Sequence, residues 1–168
     1  MNHMNKMITA ACAALIFCSS CNTDIRQEGT SAKREGKVIF LNPEGMHRNP
    51  AFSQAVSIDG TAKTIYVGGQ NAVDSAGAVV GKGDMEAQAR QTLKNLETAL
   101  AAGGASLENV IQWNVYVVQG QPLEPAYKVF QQAMTGMKSP PIISMAFVAG
   151  LANPDYLMEI SATAVIAE

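Results

Sequence analysis

The stretch KSPPIISMAFVAGLANPDYLME, residues 138–159, decides the fold. Pro140 and Pro141 stop any helix arriving from upstream, because proline lacks the N–H a helix needs and its ring clashes with the preceding turn. The stretch reads as two strands around a loop, one near residues 142–148 and the other over 157–166. The second carries a single carboxylate, Glu159, on an otherwise apolar strand.

Working upstream, residues 84–102 predict an amphipathic helix with Asp84 as its N-cap. Ala89, Leu93, Leu96 and Leu100 fall on one stripe, and Gly103 and Gly104 end the helix. Residues 110–118 alternate with period two, placing Ile111, Trp113, Val115 and Val117 on the face expected to meet the helix. A second helix is predicted from the prolines at 122 and 125 to Gly136, burying Tyr127, Phe130 and Met134. Residues 37–42, 52–57 and 64–67 predict three opening strands, with Asp59-Gly60 as a turn.

The order β-β-β-α-β-α-β-β specifies an α+β fold: a six-stranded mixed sheet with two helices packed on one face. The other face then needs a cover. Leu157 and Val165 on the last strand, with Ile143, Met145 and Phe147 on the fifth, are expected to point outward there. So much apolar surface predicts self-association.

Before this domain, Lys6, the apolar run 7–17 and the small residues Ser19, Ser20 and Cys21 read as a signal peptide over residues 1–21. Eleven residues are too few to cross a bilayer, which takes roughly 20. Cys21 closes a sequence resembling a bacterial lipobox, with Cys18 where leucine is usual, and is the expected lipidation site. An exported lipoprotein of a bacterial envelope, periplasmic or on the outer surface, is the expectation; a secreted soluble protein is the alternative. The polar residues 22–36 read as a flexible tether, leaving 37–168 as the domain.

All three cysteines lie in the leader, so a thiol nucleophile or internal disulfide is not expected in the domain. Removing Lys6 with the leader leaves 11 basic and 14 acidic residues, a net charge near −3, with the basic residues scattered. That argues against nucleic acid as a partner. His47 is the only histidine outside the leader, and no spacing suggests a metal site or a Ser-His-Asp triad. Gly68, Gly69, Gly81 and Gly83 do not make a phosphate loop, and no cofactor is implied. Trp113 reads as core.

Several segments together resemble the RidA (YjgF) family of imine/enamine deaminases. NPAFSQAV at 49–56 is similar to the family's GPYSQAV, and IYVGGQ at 65–70 to its strand ending in SGQ. Residues 81–104 and 110–118 follow its first helix and fourth strand, and 138–159 its closing segment, so the likeness spans about 44–166. The resemblance implies a RidA/chorismate mutase-like fold and a homotrimer whose sheets form a central barrel, with ligand clefts between subunits.

Carried over residue by residue, the resemblance implies a ligand site at Phe52, Gly68, Gly69, Gln70, Glu124, Ile143 and Met145, with Glu159 as the catalytic candidate. The family's carboxylate-gripping arginine falls at Ile143, its tyrosine at Phe52, its serine at Gly68, its cysteine at Met145 and its asparagine at Glu124. Glu159 keeps the family's water-positioning glutamate. A guanidinium holds a carboxylate through two charge-assisted bonds, and isoleucine has no substitute for them. Three readings follow. The first is a trimer binding a small, largely apolar molecule without standard 2-imino acid chemistry. The second is an imine or enamine hydrolase in which Glu159 activates water while Gly69 and Gln70 orient the substrate. The third is a structural or interaction trimer at the envelope. His47 and Arg48 offer a second direction for anion binding, against a plain solvated loop.

Overall fold

The computed structural model describes residues 34–168. The leader, Cys21 and the first part of the expected tether lie outside the described residues. Within them the predicted element order is present: β1 (Lys37–Leu41), β2 (Ala55–Asp59), β3 (Ala62–Gln70), α1 (Met85–Ala102), β4 (Val110–Val118), α2 (Leu123–Ala133), β5 (Ile142–Val148) and β6 (Met158–Ala167). The last three tether residues are tied to the domain: Thr61 N–H bonds to the Arg34 carbonyl, and Gly36 N–H to the Glu168 carbonyl. No helix among the described residues is long and apolar enough to cross a membrane.

The six strands form two sheets. β3, β6, β4 and β5 make a four-stranded mixed sheet in that order, parallel only between β4 and β5; β1 and β2 make a separate antiparallel ribbon. The split originates at residues 52–54. Ser53, buried, bonds through its N–H to the Pro141 carbonyl and through its hydroxyl to the Pro140 carbonyl. Those bonds draw the expected start of β2 towards the foot of β5, so β2 begins at Ala55 and Phe52 is left outside the strand.

α1 starts where Asp84 accepts from the N–H groups of Glu86 and Ala87, at 3.0 and 3.1 Å, satisfying two of the first turn's free donors. Its stripe of Ala89, Leu93, Leu96 and Leu100 is buried against the sheet together with Trp113, Val117, Ile160 and Ala164. The chain leaves the helix through Gly104, whose φ of +81° is costly for other residues. A register shift between Val110 and Gln112 in β4 puts Val110 in the core and leaves Ile111 half-buried.

α2 differs from expectation in the face it buries. Ala126 and Val129 point inward and Phe130 and Met134 are half-buried, whereas Tyr127 is 53% exposed. The helix packs mainly on α1 and meets the sheet through Phe130 against Trp113, which turns its inner stripe away from Tyr127.

The composition of the uncovered sheet face is also corrected. Leu157 lies just before β6 and is buried in the core, its N–H bonded to Gln88 Oε1, so strand alternation does not govern it. Val165 is buried near the end of β6, the strand against which β1 packs. Ile143, Met145 and Phe147 pair with Trp113, Val115 and Val117 and so lie on the helix side. Met145 and Phe147 remain half-exposed because β5 is the sheet edge. The face away from the helices carries Tyr66, Gln112, Asn114, Tyr116, Ser161 and Thr163, and is mostly polar.

Candidate functional site

β4 and β5 leave a trough between the sheet edge and α2, and the docked segment 49–52 closes its end. This groove has a volume of about 400 Å³ and no charged side chain in its lining. Its floor includes Trp113, Val115 and Ile143, its α2 wall Phe130 and Met134, and its rim Met145. Phe52 reaches it because Ser53 is fixed to Pro140 and Pro141. Trp113 meets Phe130 edge to face, with ring centres 5.7 Å apart and planes at 64°, the arrangement aromatic pairs prefer. Three of the predicted ligand residues, Phe52, Ile143 and Met145, are thereby brought together.

A second group gathers on the opposite face. Glu159 lies beside Tyr116 in register, while its neighbour Met158 faces the groove; successive residues of a strand point to opposite sides. The register of β3 shifts between Val67 and Gln70, and this bulge brings Gly69 under the Glu159 carboxyl. A Cβ at Gly69 would overlap that carboxyl group, so glycine is what leaves it room. Gly68 faces open space, and Gln70 Nε2 donates to the Gly68 carbonyl at 3.2 Å.

Asn71 holds Glu159 from the other side, donating to the Met158 carbonyl at 3.1 Å and to Glu159 Oε2 at 3.4 Å. Asn95 on α1 in turn donates to the carbonyls of Asn71 and Val73, and Gln91 donates to Asn95 Oδ1. Among the described residues Glu159 makes no ion pair. Its side chain is half-buried and oriented by Asn71, with no cation beside it among the described residues.

Glu124 joins neither group. It is exposed on the first turn of α2 and pairs with Lys128 at 3.2 Å, while its neighbour Leu123 lines the groove. His47 and Arg48 are exposed on the loop before Asn49, and neither lines the groove. Among the described residues no three His, Cys, Asp or Glu side chains gather as metal ligands would.

Sequence reasoning missed Asn71, Asn49 and Gln88. Asn49 lines the groove with its Oδ1 bonded to Ala51 N–H. Gln88, fully buried on α1, donates to the carbonyls of Gly81 and Asp155 and accepts from Leu157 N–H. Gln88 falls at the edge of the apolar stripe, where a polar residue ordinarily signals solvent. Only its position directly before Ala89 hinted at burial.

Comparison with known proteins gives a consistent result. Residues 46–166 match the family described as Endoribonuclease L-PSP. Protein DfrA of Myxococcus xanthus is 30% identical over 114 residues, 68% of this chain and 84% of that protein. The 2-iminobutanoate/2-iminopropanoate deaminase of Rattus norvegicus is 40% identical over 65 residues, 39% of this chain and only 45% of the deaminase. Among solved structures, the Rid family protein YyfB of Yersinia pestis, described as of unknown function, superposes with a TM-score of 0.67 at 34% identity. That match covers 77% of this chain and 98% of YyfB.

Proposed function

Because this chain belongs to the Endoribonuclease L-PSP family, that of the RidA (YjgF) proteins, we propose that it is a small-molecule-binding member acting as an exported homotrimer, lipid-anchored through Cys21. Its ligand is small, largely apolar and uncharged, and it does not carry out the standard hydrolysis of 2-imino acids. The observation that carries this reading is the uncharged groove with Ile143 in its floor, at the position where the family resemblance implies an arginine. A carboxylate entering it would shed water with no donor of opposite charge to compensate, at a cost of several kcal/mol.

The two groups of site residues lie on opposite faces of one sheet, so no single subunit can present them to one ligand. A cleft between subunits, with Ile143 and Met145 from one copy and Gly69 and Glu159 from the next, reconciles them. Light scattering is expected to give three times the subunit mass; a monomer at micromolar concentration would refute this part.

A second reading rests on Glu159. Its carboxylate is positioned by Asn71, given room by Gly69 and free of ion pairs among the described residues, as a group that orients water requires. This reading keeps imine hydrolysis, with Gly69 and Gln70 orienting the substrate. The deciding assay follows hydrolysis of 2-iminobutanoate made in place by an amino-acid oxidase. We expect the spontaneous rate; acceleration that disappears in Glu159→Ala would establish the enzyme and overturn the binding reading. If a broad metabolite screen also left the groove empty, a structural trimer at the envelope would be favoured.

A further inference from the structure

Every sulfur atom in residues 37–168 is a methionine thioether, because the three cysteines lie in the leader. Three of these methionines, Met134, Met145 and Met158, line the groove. They differ in what solvent can reach: Met158 is 1% exposed and Met134 half-buried, whereas Met145 is 53% exposed. Met46, on the loop that precedes Asn49, is 52% exposed and does not line the groove. Met145 is therefore the one methionine among the described residues that both meets solvent and forms part of the candidate site.

Exposure governs which thioether a dissolved oxidant attacks, and the product is a polar sulfoxide in place of a flexible apolar side chain. Met145 stands on the edge strand β5, outside the buried core, so a new oxygen there need not be buried for the fold to persist. The groove has no charged side chain in its lining, so its attraction for a ligand rests on apolar contact. An oxygen on Met145 removes part of that contact. Turned towards the ligand it is stripped of water, and turned away it takes the side chain off the rim.

Resting on the binding reading above, we infer that Met145 is a reversible oxidation site through which a peroxide lowers the groove's affinity for apolar ligands. A lone pair on the Met145 sulfur attacks one oxygen of hydrogen peroxide, forming the S–O bond as the O–O bond breaks. The proton on the transferred oxygen passes to the departing hydroxide, which leaves as water. The thioether is thereby oxidised by two electrons and the peroxide reduced by two. Reduction of the sulfoxide returns the apolar rim.

The test treats the full chain with dilute hydrogen peroxide and follows each methionine by peptide mass spectrometry while acetophenone binding is measured by calorimetric titration. Met145 and Met46 are expected to gain oxygen well before Met85, Met134 and Met158. Affinity for acetophenone should fall by about fourfold, the effect of losing roughly one buried methylene, and recover after treatment with methionine sulfoxide reductases. In Met145→Leu, whatever its starting affinity, the ratio before and after peroxide should be one, although Met46 is still oxidised. Oxidation of Met145 no faster than of Met158, an affinity unchanged once Met145 is oxidised, an unrecovered loss after reduction, or the same loss in Met145→Leu would overturn the inference and leave the groove standing. Acetophenone failing to bind the untreated protein would overturn the groove reading and this inference with it.

Discussion

Replacing Gln88 should damage the protein far beyond what its place on an apparently ordinary helix suggests. Its side chain is fully buried and makes three hydrogen bonds: Nε2 to the Gly81 carbonyl at 3.1 Å and the Asp155 carbonyl at 2.7 Å, and Oε1 from Leu157 N–H at 2.9 Å. Together they tie α1 to the turn before it and to the segment that delivers Met158 and Glu159. In Gln88→Ala these backbone groups lose their partner inside the fold, at about 1–3 kcal/mol each, less whatever water recovers. A loss of about 3–5 kcal/mol is expected, a large part of a typical domain's 5–15. Urea unfolding followed by Trp113 fluorescence measures it, and Leu157 N–H should exchange faster.

Gln88→Glu sharpens the test. Its carboxylate still accepts from Leu157, but its second oxygen faces two carbonyls, which raises its folded pKa above the unfolded value. Stability from that group is therefore fully present below the unfolded pKa of about 4.3 and lost as pH rises through the folded pKa. The variant's deficit relative to wild type should thus grow from pH 4 to pH 7. A cost below about 1 kcal/mol for Gln88→Ala, or a deficit indifferent to pH in Gln88→Glu, would refute the reasoning.

Two further expectations concern the scaffold and the carboxylate. Asp84→Ala removes the cap that accepts from Glu86 and Ala87 and should cost about 1 kcal/mol by urea unfolding, with Asp84→Asn recovering most of it. Gly69→Ala should push the Glu159 carboxyl off Asn71 for about 1 kcal/mol or less, because the colliding group is the end of a flexible side chain. Its cost should vanish in a Glu159→Ala background, and a double-mutant cycle showing no coupling would contradict the close approach.

The fold was legible where local signals and tertiary demand agree. The cap at Asp84, the four-residue stripe of α1, the alternation of β4 from Trp113 onward and the proline stop before β5 each predicted what is present. What was not legible depends on contacts distant in sequence. Ser53 binds the carbonyls of Pro140 and Pro141, 87 and 88 positions on, and thereby delays β2 and delivers Phe52 to the groove. Gln88 captures Leu157 across 69 positions and turns inward a residue that alternation had placed outside. The expected apolar outer face failed for a related reason: which side of β5 faces the helices is set by its pairing with β4, and the open side is polar.

The candidate site was half legible. Phe52, Ile143 and Met145 could be placed together through the family resemblance, and the groove unites them; Gly68, Gly69, Gln70 and Glu159 cluster as well, but on the other face. Residue order alone could not reveal that division, because it depends on the bulge in β3 and on the pairing of β6 between β3 and β4. Trp113 was read as core. It is core and groove floor at once, and residue order alone shows only the first of these.

The central claim is that a groove floored by Ile143 in place of a cation admits neutral molecules and refuses acids. Its most direct measurement is the ratio of affinities for acetophenone and benzoate, near-isosteres in which an acetyl group replaces a carboxylate, in wild type and in Ile143→Arg. Acetophenone should be favoured by a factor of 10 to 100 in wild type, and the arginine should reverse the preference. Benzoate bound as tightly as acetophenone by the unaltered protein would contradict the account.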